Sequence, residues 1–336
     1  MPISRKIMGV SRGIAGALTA AGTISTGASS GPSSIAISAD GASVYTANVG
    51  SNAVSIFNRN TSTGALSGTS TIYSSGPSSI AISADGASVY TSSNISSLSI
   101  FNRNTSTGAL SGTSTIAINS GYPFCVAISA DGKNVYAAVY YPSTIYIYTR
   151  NTSTGALSGA STIAPAANYN QNIAVSPDNV SVYMGSISPR GLSIYTRNTN
   201  TGALSGTSTI STGNYPLGIA ISADGKNVYV ANAGSATVSI FTRNTSTGEL
   251  SGTSTIATGN EPYSIAISAD GASVYTANNS SHTVSIFNRN ISTGELSGTS
   301  TIATGTSPQS VCISADGKNV YVANQGSNTV SIFNRS

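Results

Sequence analysis

The sequence predicts an all-β fold, a seven-bladed β-propeller with four antiparallel strands per blade, the ring closed by an N-terminal strand that completes the last blade. Three observations carry this reading. A motif of the form ISADG places aspartates at 40, 85, 131, 178, 224, 270 and 316, at steps of 45, 46, 47, 46, 46 and 46 residues. Each unit, such as SIAISADGASVYTANVGSNAVSIFNRNTSTGALSGTSTI at 34–72, holds four β-type runs. The seventh unit shows only three of these runs, while GALTAAGTI at 16–24 aligns without gaps to the fourth run, GALSGTSTI, at 64–72. Repeats of about 40–50 residues with four short strands are the mark of a propeller, whereas solenoid repeats are shorter and end in caps.

The elements follow in order. Residues 1–15 form a basic leader containing Arg5, Lys6 and Arg12. It is expected to lie on the propeller's outer edge or to dock into a neighbouring subunit. The stretch GALTAAGTIST that follows could be the apolar part of a secretory signal, but it lacks a Leu-rich centre. Residues 16–26 are therefore expected to complete blade seven, leaving no open sheet edge between the first and last blades. A single propeller then occupies 16–336, with blades starting near 31, 76, 121, 168, 214, 260 and 306.

Within a blade the first run, SIAIS, is short and small and suits the innermost position. Asp-Gly follows it and signals a tight hairpin with both turn residues at positive φ. SVYTAN and VSIFNRN are rich in β-branched and aromatic residues and read as the buried middle strands. NTSTG makes a longer turn into ALSGTSTI, which is polar and belongs outside. The tyrosines 45, 90, 136, 183, 229, 275 and 321 recur at one position of the second strand and are expected to fill the space between blades.

Only 7% of the 336 residues are charged, against about 25% in ordinary soluble domains. The net charge of +4 owes three of its charges to the leader. The remaining basic residues are spread evenly, which excludes the clustered cations that nucleic-acid binding needs. No apolar run approaches the roughly 20 residues of a membrane-spanning helix. The two cysteines, Cys125 and Cys312, fall in blades on opposite sides of the ring and are expected to be free, buried thiols. The seven aspartates share a face with Arg59, Arg103, Arg150, Arg197, Arg243, Arg289 and Arg335. Each Asp is expected to satisfy its own turn and each Arg to lay its stem on the blade or pair nearby. One carboxylate per site falls short of the six to eight oxygens that calcium takes, so no metal or cofactor is expected. Asn-X-Ser/Thr sequons at Asn60, Asn104, Asn151, Asn244 and Asn290 recur because the repeat recurs.

NVYVANAGSATVSIF at 227–241 and NVYVANQGSNTVSIF at 319–333 resemble the YVTN-type repeat of seven-bladed propellers, and YTRNTSTGALS at 148–158 is similar to the lactonase-like propeller family. The resemblance spans residues 16–336. It implies the propeller fold and a function among lactonases, surface-layer proteins and binding scaffolds. Lactonase-like members place charged groups and a histidine in the central cleft, which here directs attention to Glu261, His282 and Arg190.

The face opposite the Asp-Gly turns varies from blade to blade. Blades one, two and seven lead into their inner strands with GPSS, GPSS and SPQS, whereas Tyr122, Tyr169, Tyr215 and Tyr263 stand there in blades three to six. Tyr140 and Tyr141 in VYYPST, together with Arg190, Glu261 and His282, fall on the same side. Tyr offers large contact area at low entropic cost, so these nine residues form the candidate ligand- or partner-binding set. Seven of the ten acidic residues are hairpin aspartates, leaving a small inventory for acid–base chemistry. The leading expectation is thus a non-catalytic structural or recognition propeller in an exposed, extracellular-facing assembly, a virion or a cell-surface layer, that binds protein subunits or glycans. The alternatives are a lactonase-type hydrolase using Glu261, His282 and Arg190, or a soluble carbohydrate-binding propeller using the tyrosine-bearing loops.

Overall fold

The computed structural model describes residues 16–119, 121–165, 168–188 and 190–336, with the backbone alone at 168–171. The leader at 1–15 and the side chain of Tyr169 lie outside the described residues. Seven four-stranded antiparallel sheets make up the ring. Blade one runs in order through Pro32–Ile37, Ser43–Asn48, Ala53–Arg59 and Leu66–Tyr73, and the next five blades repeat this. In the seventh, Leu18–Ser25 pairs with Thr329–Arg335, Leu18 opposite Arg335 and Ser25 opposite Thr329. The N-terminal strand therefore closes the ring as its sequence alignment predicts.

Burial follows strand composition. Second strands such as Ser43–Asn48 are buried at every residue, since both faces of a blade are covered by neighbours. Outer strands such as Leu66–Tyr73 bury Leu66 and expose the Ser/Thr run behind it. Core clusters bridge adjacent blades: Tyr45, Ala47 and Val54 of blade one pack with Ile80, Val89 and Phe101 of blade two. Ile35 and Val44 pack with Tyr321 and Val330, sealing blade one against blade seven.

The recurring tyrosines do more than fill space. Tyr45 donates its hydroxyl proton to the carbonyl of Gly108 at 2.7 Å and accepts from Nε of Arg103 at 2.6 Å. The same exchange repeats at every joint, ending with Tyr275 on Gly16 and Arg335, and with Tyr321 on Gly64 and Arg59. The arginine then reaches back to the aspartate of the preceding blade. Six such ion pairs span 2.6–3.0 Å, from Arg59–Asp316 to Arg335–Asp270. At the joint between blades five and six, Arg289 bonds Tyr229 and Asn227. Six of the seven arginines are buried and Arg335 is half-buried, so the pairing expected nearby takes the form of an internal strut at each joint.

Two local features explain the repeated turn residues. The glycine of each TG turn sits at positive φ, +74° at Gly108, and a Cβ there would stand 2.1 Å from Oγ of Ser43 in the neighbouring blade. The Asp-Gly hairpin departs from the two-residue turn expected from its sequence. Gly41 donates to the Ser38 carbonyl at 2.8 Å and alone takes positive φ, 68°. Asp40 keeps negative φ because its carboxylate accepts from Ala42 N–H and from Ser38 Oγ. Asn179, at φ 63°, fills the glycine position of blade four, as the short amide side chain allows.

The aspartates bear on acid stability. Burial alone would raise the carboxyl of Asp316, but bonds from Ser314, the Lys318 N–H and Arg59 outweigh it and hold it at about 2. Asp270 is likewise held at about 2, and Asp40, Asp85, Asp131, Asp178 and Asp224 also lie below the ordinary value of 3.8. A depressed carboxylate contributes stability above its unfolded value and loses it as pH falls through the folded one. The melting temperature is therefore expected to drop most steeply between about pH 4 and pH 2. Calorimetry at stepped pH checks this; a fall already complete at pH 5 would contradict it.

Candidate active site in the central cavity

The innermost strands start at Pro32, Pro77, Pro123, Asn168, Pro216, Pro262 and Pro308. All seven blades contribute to a central cavity of about 530 Å3. It opens on the face away from the Asp-Gly turns. Each inner strand breaks register near its start, for example between Pro32 and Ser34 and between Pro262 and Ser264. A bulge re-aims one side chain out of strand alternation. The bulged residues are Ser33, Ser78, Phe124, Leu217, Tyr263 and Gln309, and every one of them lines the cavity. Gln171 holds the corresponding position in blade four.

Of the candidate residues, Tyr140, Tyr215, Glu261 and Tyr263 are brought together on the cavity wall. Tyr122 and Tyr141 are exposed outside it, 58% and 66% accessible. Arg190 sits in an exposed turn just beyond Ile187 of the wall. His282 does not line the cavity. Its Nδ1 lies 3.1 Å from the Ser307 N–H of blade seven, where Asn52 Oδ1 receives Gly76 N–H and Asn328 Oδ1 receives Gly31 N–H, each at 2.8 Å. The ring nitrogen thus replaces an amide oxygen in a blade-to-blade clasp.

Glu261 is the single carboxylate on the cavity wall among the described residues. Its backbone has φ 53°, a conformation that Gly31 and Gly76 supply in blades one and two. Ser280 donates its hydroxyl to Glu261 Oε2. Burial, reinforced by the charge of Glu261, pushes the Tyr263 hydroxyl above its ordinary pKa, so it stays protonated. Tyr215 also takes positive φ, 54°, and a Cβ on Gly234 would come within 2.5 Å of its ring. Phe124 and Tyr140 have ring centroids 6.1 Å apart on the blade-three side. Gln309 Nε2 donates to Gln325 Oε1 at 2.8 Å.

Both cysteines are free, but they are half-buried rather than fully buried, because an inner strand covers fully only its first and fourth residues. Cys125 lies on the cavity wall, 3.7 Å from both Ser79 Oγ and Asn172 Oδ1. Burial raises its thiol, and it pushes Cys312 up to about 12, so neither is a ready nucleophile at neutral pH.

The family model "Lactonase, 7-bladed beta-propeller" matches residues 70–169, 159–266 and 256–336 in three overlapping stretches, well over half of the chain. The chain belongs to the lactonase family of seven-bladed β-propellers. No curated protein sequence matches it at a significant level. Similar solved structures include a putative 6-phosphogluconolactonase from Bacteroides fragilis, 24% identical, covering 84% of this chain and 86% of that one at TM-score 0.76. Another is the periplasmic gluconolactonase of Pseudomonas aeruginosa, 18% identical over 82% and 86% at TM-score 0.73. The hydrazine synthase of Kuenenia stuttgartiensis, 20% identical over 92% and 96% at TM-score 0.73, shares the architecture as well. At these identities the likeness establishes the fold, which hosts unrelated chemistries.

Membership of the lactonase family overturns the expectation of a non-catalytic structural or recognition module in a virion or surface layer. That expectation leaned on the near-identity of the blades. The identity lies in the joints, in the Asp, Arg, Tyr and Gly residues that hold the ring, while the departures gather at the cavity mouth. Apart from Tyr263, the bulged residues were missed by sequence reasoning, though a signal was present: the residue just after the inner-strand proline is Ser, Ser, Phe, Leu, Tyr or Gln where its surroundings hardly change.

Proposed function

We propose that this lactonase-family propeller hydrolyses a small, uncharged cyclic ester in its central cavity, with Glu261 as general base and Tyr263 as hydrogen-bond donor to the developing oxyanion. The observation that carries the reading is one carboxylate beside one tyrosine hydroxyl, itself held protonated, on the wall of a cavity otherwise lined by neutral groups. Water attacks the acyl carbon and gives a proton to Glu261. The tetrahedral oxyanion accepts from Tyr263. It collapses with cleavage of the ring C–O bond, and the departing alkoxide takes the proton back from Glu261, leaving the hydroxy acid. Positioned general bases contribute about 10²–10⁴-fold.

The substrate's charge follows from the wall. No Lys or Arg lines the cavity among the described residues. A phosphate dianion would meet Glu261 without a compensating cation, and phosphate recognition draws on charge-assisted bonds. A neutral aldonolactone suits the Ser, Tyr, Asn and Gln groups better than a phosphorylated one. The test is hydrolysis of D-glucono-1,5-lactone followed by lactone decay against the uncatalysed rate. Glu261→Gln is expected to cut kcat/KM by at least about 100-fold with the melting temperature unchanged. Equal rates for wild type and variant would remove the proposal.

A further inference from the structure

We propose that the blade-six loop Asn279–His282 is a positioning clasp for Glu261, in which Ser280 orients the carboxylate and His282 pins the loop to blade seven. The inference rests on the hydrolase reading of Glu261 for its kinetic consequence, and on geometry for the clasp itself.

Glu261 occupies a left-handed backbone conformation in which a non-glycine residue is strained, and such strain persists where the surroundings over-determine it. Here they do so at two points. The Asn279 N–H donates to the Glu261 carbonyl at 2.8 Å, and Ser280 Oγ donates to Oε2 of the side chain. The first bond belongs to the fold. Val49 N–H reaches the Gly31 carbonyl, Asn94 N–H reaches Gly76, and Gln325 N–H reaches Ser307 in the same way. Among the described residues the second bond occurs in blade six alone. Gly50, Ile95, Tyr141, Ser188, Gly234 and Gly326 stand at the corresponding place in the other six blades. Ser188 of blade four alone among them carries an aliphatic hydroxyl, and the sequence has no carboxylate at the position of Glu261 in any other blade. In blade six the serine and the glutamate occur together and bond to one another.

His282 secures the other end of the loop. Its Nδ1 lies 3.1 Å from Ser307 N–H and 2.9 Å from the Asn279 carbonyl. In the tautomer with Nδ1 bare it accepts from Ser307, as Asn52 and Asn328 do for Gly76 and Gly31. The titratable neighbours of the clasp are Tyr263, two residues along from Glu261, and His282 itself. A hydroxyl donating to the carboxylate fixes its rotamer, which is what a general base at the rim of an open cavity requires.

Ser280→Ala is expected to lower kcat about tenfold, roughly the worth of one hydrogen bond to a charged group, with KM and melting temperature unchanged. Ser280→Thr should recover most of the loss. Glutamates occur only at 249, 261 and 295, so carboxyl-labelled glutamate gives three resonances to follow by NMR. One of them should change its chemical shift in Ser280→Ala while the other two stay in place. His282→Ala should speed amide exchange at Ser307, and His282→Asn should restore it. If the glutamate resonance moves but no lactone is hydrolysed by the wild type, the clasp stands and the hydrolase reading falls. If activity is present and lost in Glu261→Gln, yet Ser280→Ala changes neither kcat nor the glutamate resonance, the clasp is wrong and the hydrolase reading stands.

Discussion

Removal of residues 16–25 is expected to destroy cooperative folding of the propeller. The strand Leu18–Ser25 supplies the whole outer edge of blade seven, its backbone paired from Leu18–Arg335 to Ser25–Thr329. It buries Leu18 against Phe333 and covers the core of blades six and seven with Tyr275 and Val320. Gly16 also provides the carbonyl that Tyr275 donates to at 2.7 Å, so the joint to blade six loses its acceptor as well. Burial of a Leu side chain is worth about 1.5–3 kcal/mol and each net hydrogen bond about 0.5–1.5 kcal/mol. Several bonds go together, so the loss is on the order of the 5–15 kcal/mol that separates folded from unfolded domains. Urea unfolding and size exclusion report the outcome. The truncated chain should show no cooperative transition and should elute as aggregate, whereas a wild-type midpoint would mean that the ring closes without this strand. A circular permutant that joins Ser336 through a short TST linker to Gly16, and begins instead at Ser29, should fold normally. The two ends already exchange bonds, Gly16 N–H to the Ser336 carbonyl at 2.9 Å and Ser336 N–H to Ala17 at 3.0 Å.

The second large effect is at a joint. Arg197 is fully buried and uses its whole fork: Nε to Tyr136 at 2.7 Å, Nη1 to the Asn179 carbonyl at 3.1 Å, and Nη2 to Asp131 and to Asn134 at 2.6 Å. Arg197→Ala leaves a tyrosine hydroxyl, an amide and a carboxylate without their donor. Breaking a buried pair costs about 3–5 kcal/mol; Asp131 keeps 22% of its surface in water, which sets the expectation near about 3 kcal/mol. Arg197→Lys should recover little, since one ammonium cannot replace a planar fork. A double-mutant cycle with Asp131→Asn isolates the ion pair. A loss below 1 kcal/mol for Arg197→Ala would show that the circuit of bonds at the joint is not what holds the blades.

The fold was legible because its signals are periodic. Aspartates at 45–47-residue steps and an N-terminal copy of the fourth run leave one topology. The joints were half legible. The tyrosines announce a repeated contact, but the arginine's partners show only when Asp and Tyr of the preceding blade and a glycine carbonyl of its own blade close around it. The cavity was least legible, for a physical reason. Its walls are built by bulges, and a bulge breaks the two-residue alternation by which a strand is read. Ser33, Phe124, Leu217 and Gln309 therefore look like core or linker positions. His282 misled in the other direction, since a lone histidine beside a glutamate suggests proton transfer, while its nitrogen occupies the place of an asparagine amide.

The bulge ring has a consequence for how such a protein can change. Duplication of one repeat copies a complete joint, because Asp, Tyr, Gly and Arg travel with every unit. The residue after the proline then sits at the far end of the same unit, apart from the joint and outside strand register. A single codon there alters what the mouth of the ring presents while the ancestry of the rest remains visible in the sequence. Seven such codons, one per blade, amount to a short alphabet by which the cavity wall can change while the shape of the ring stays the same.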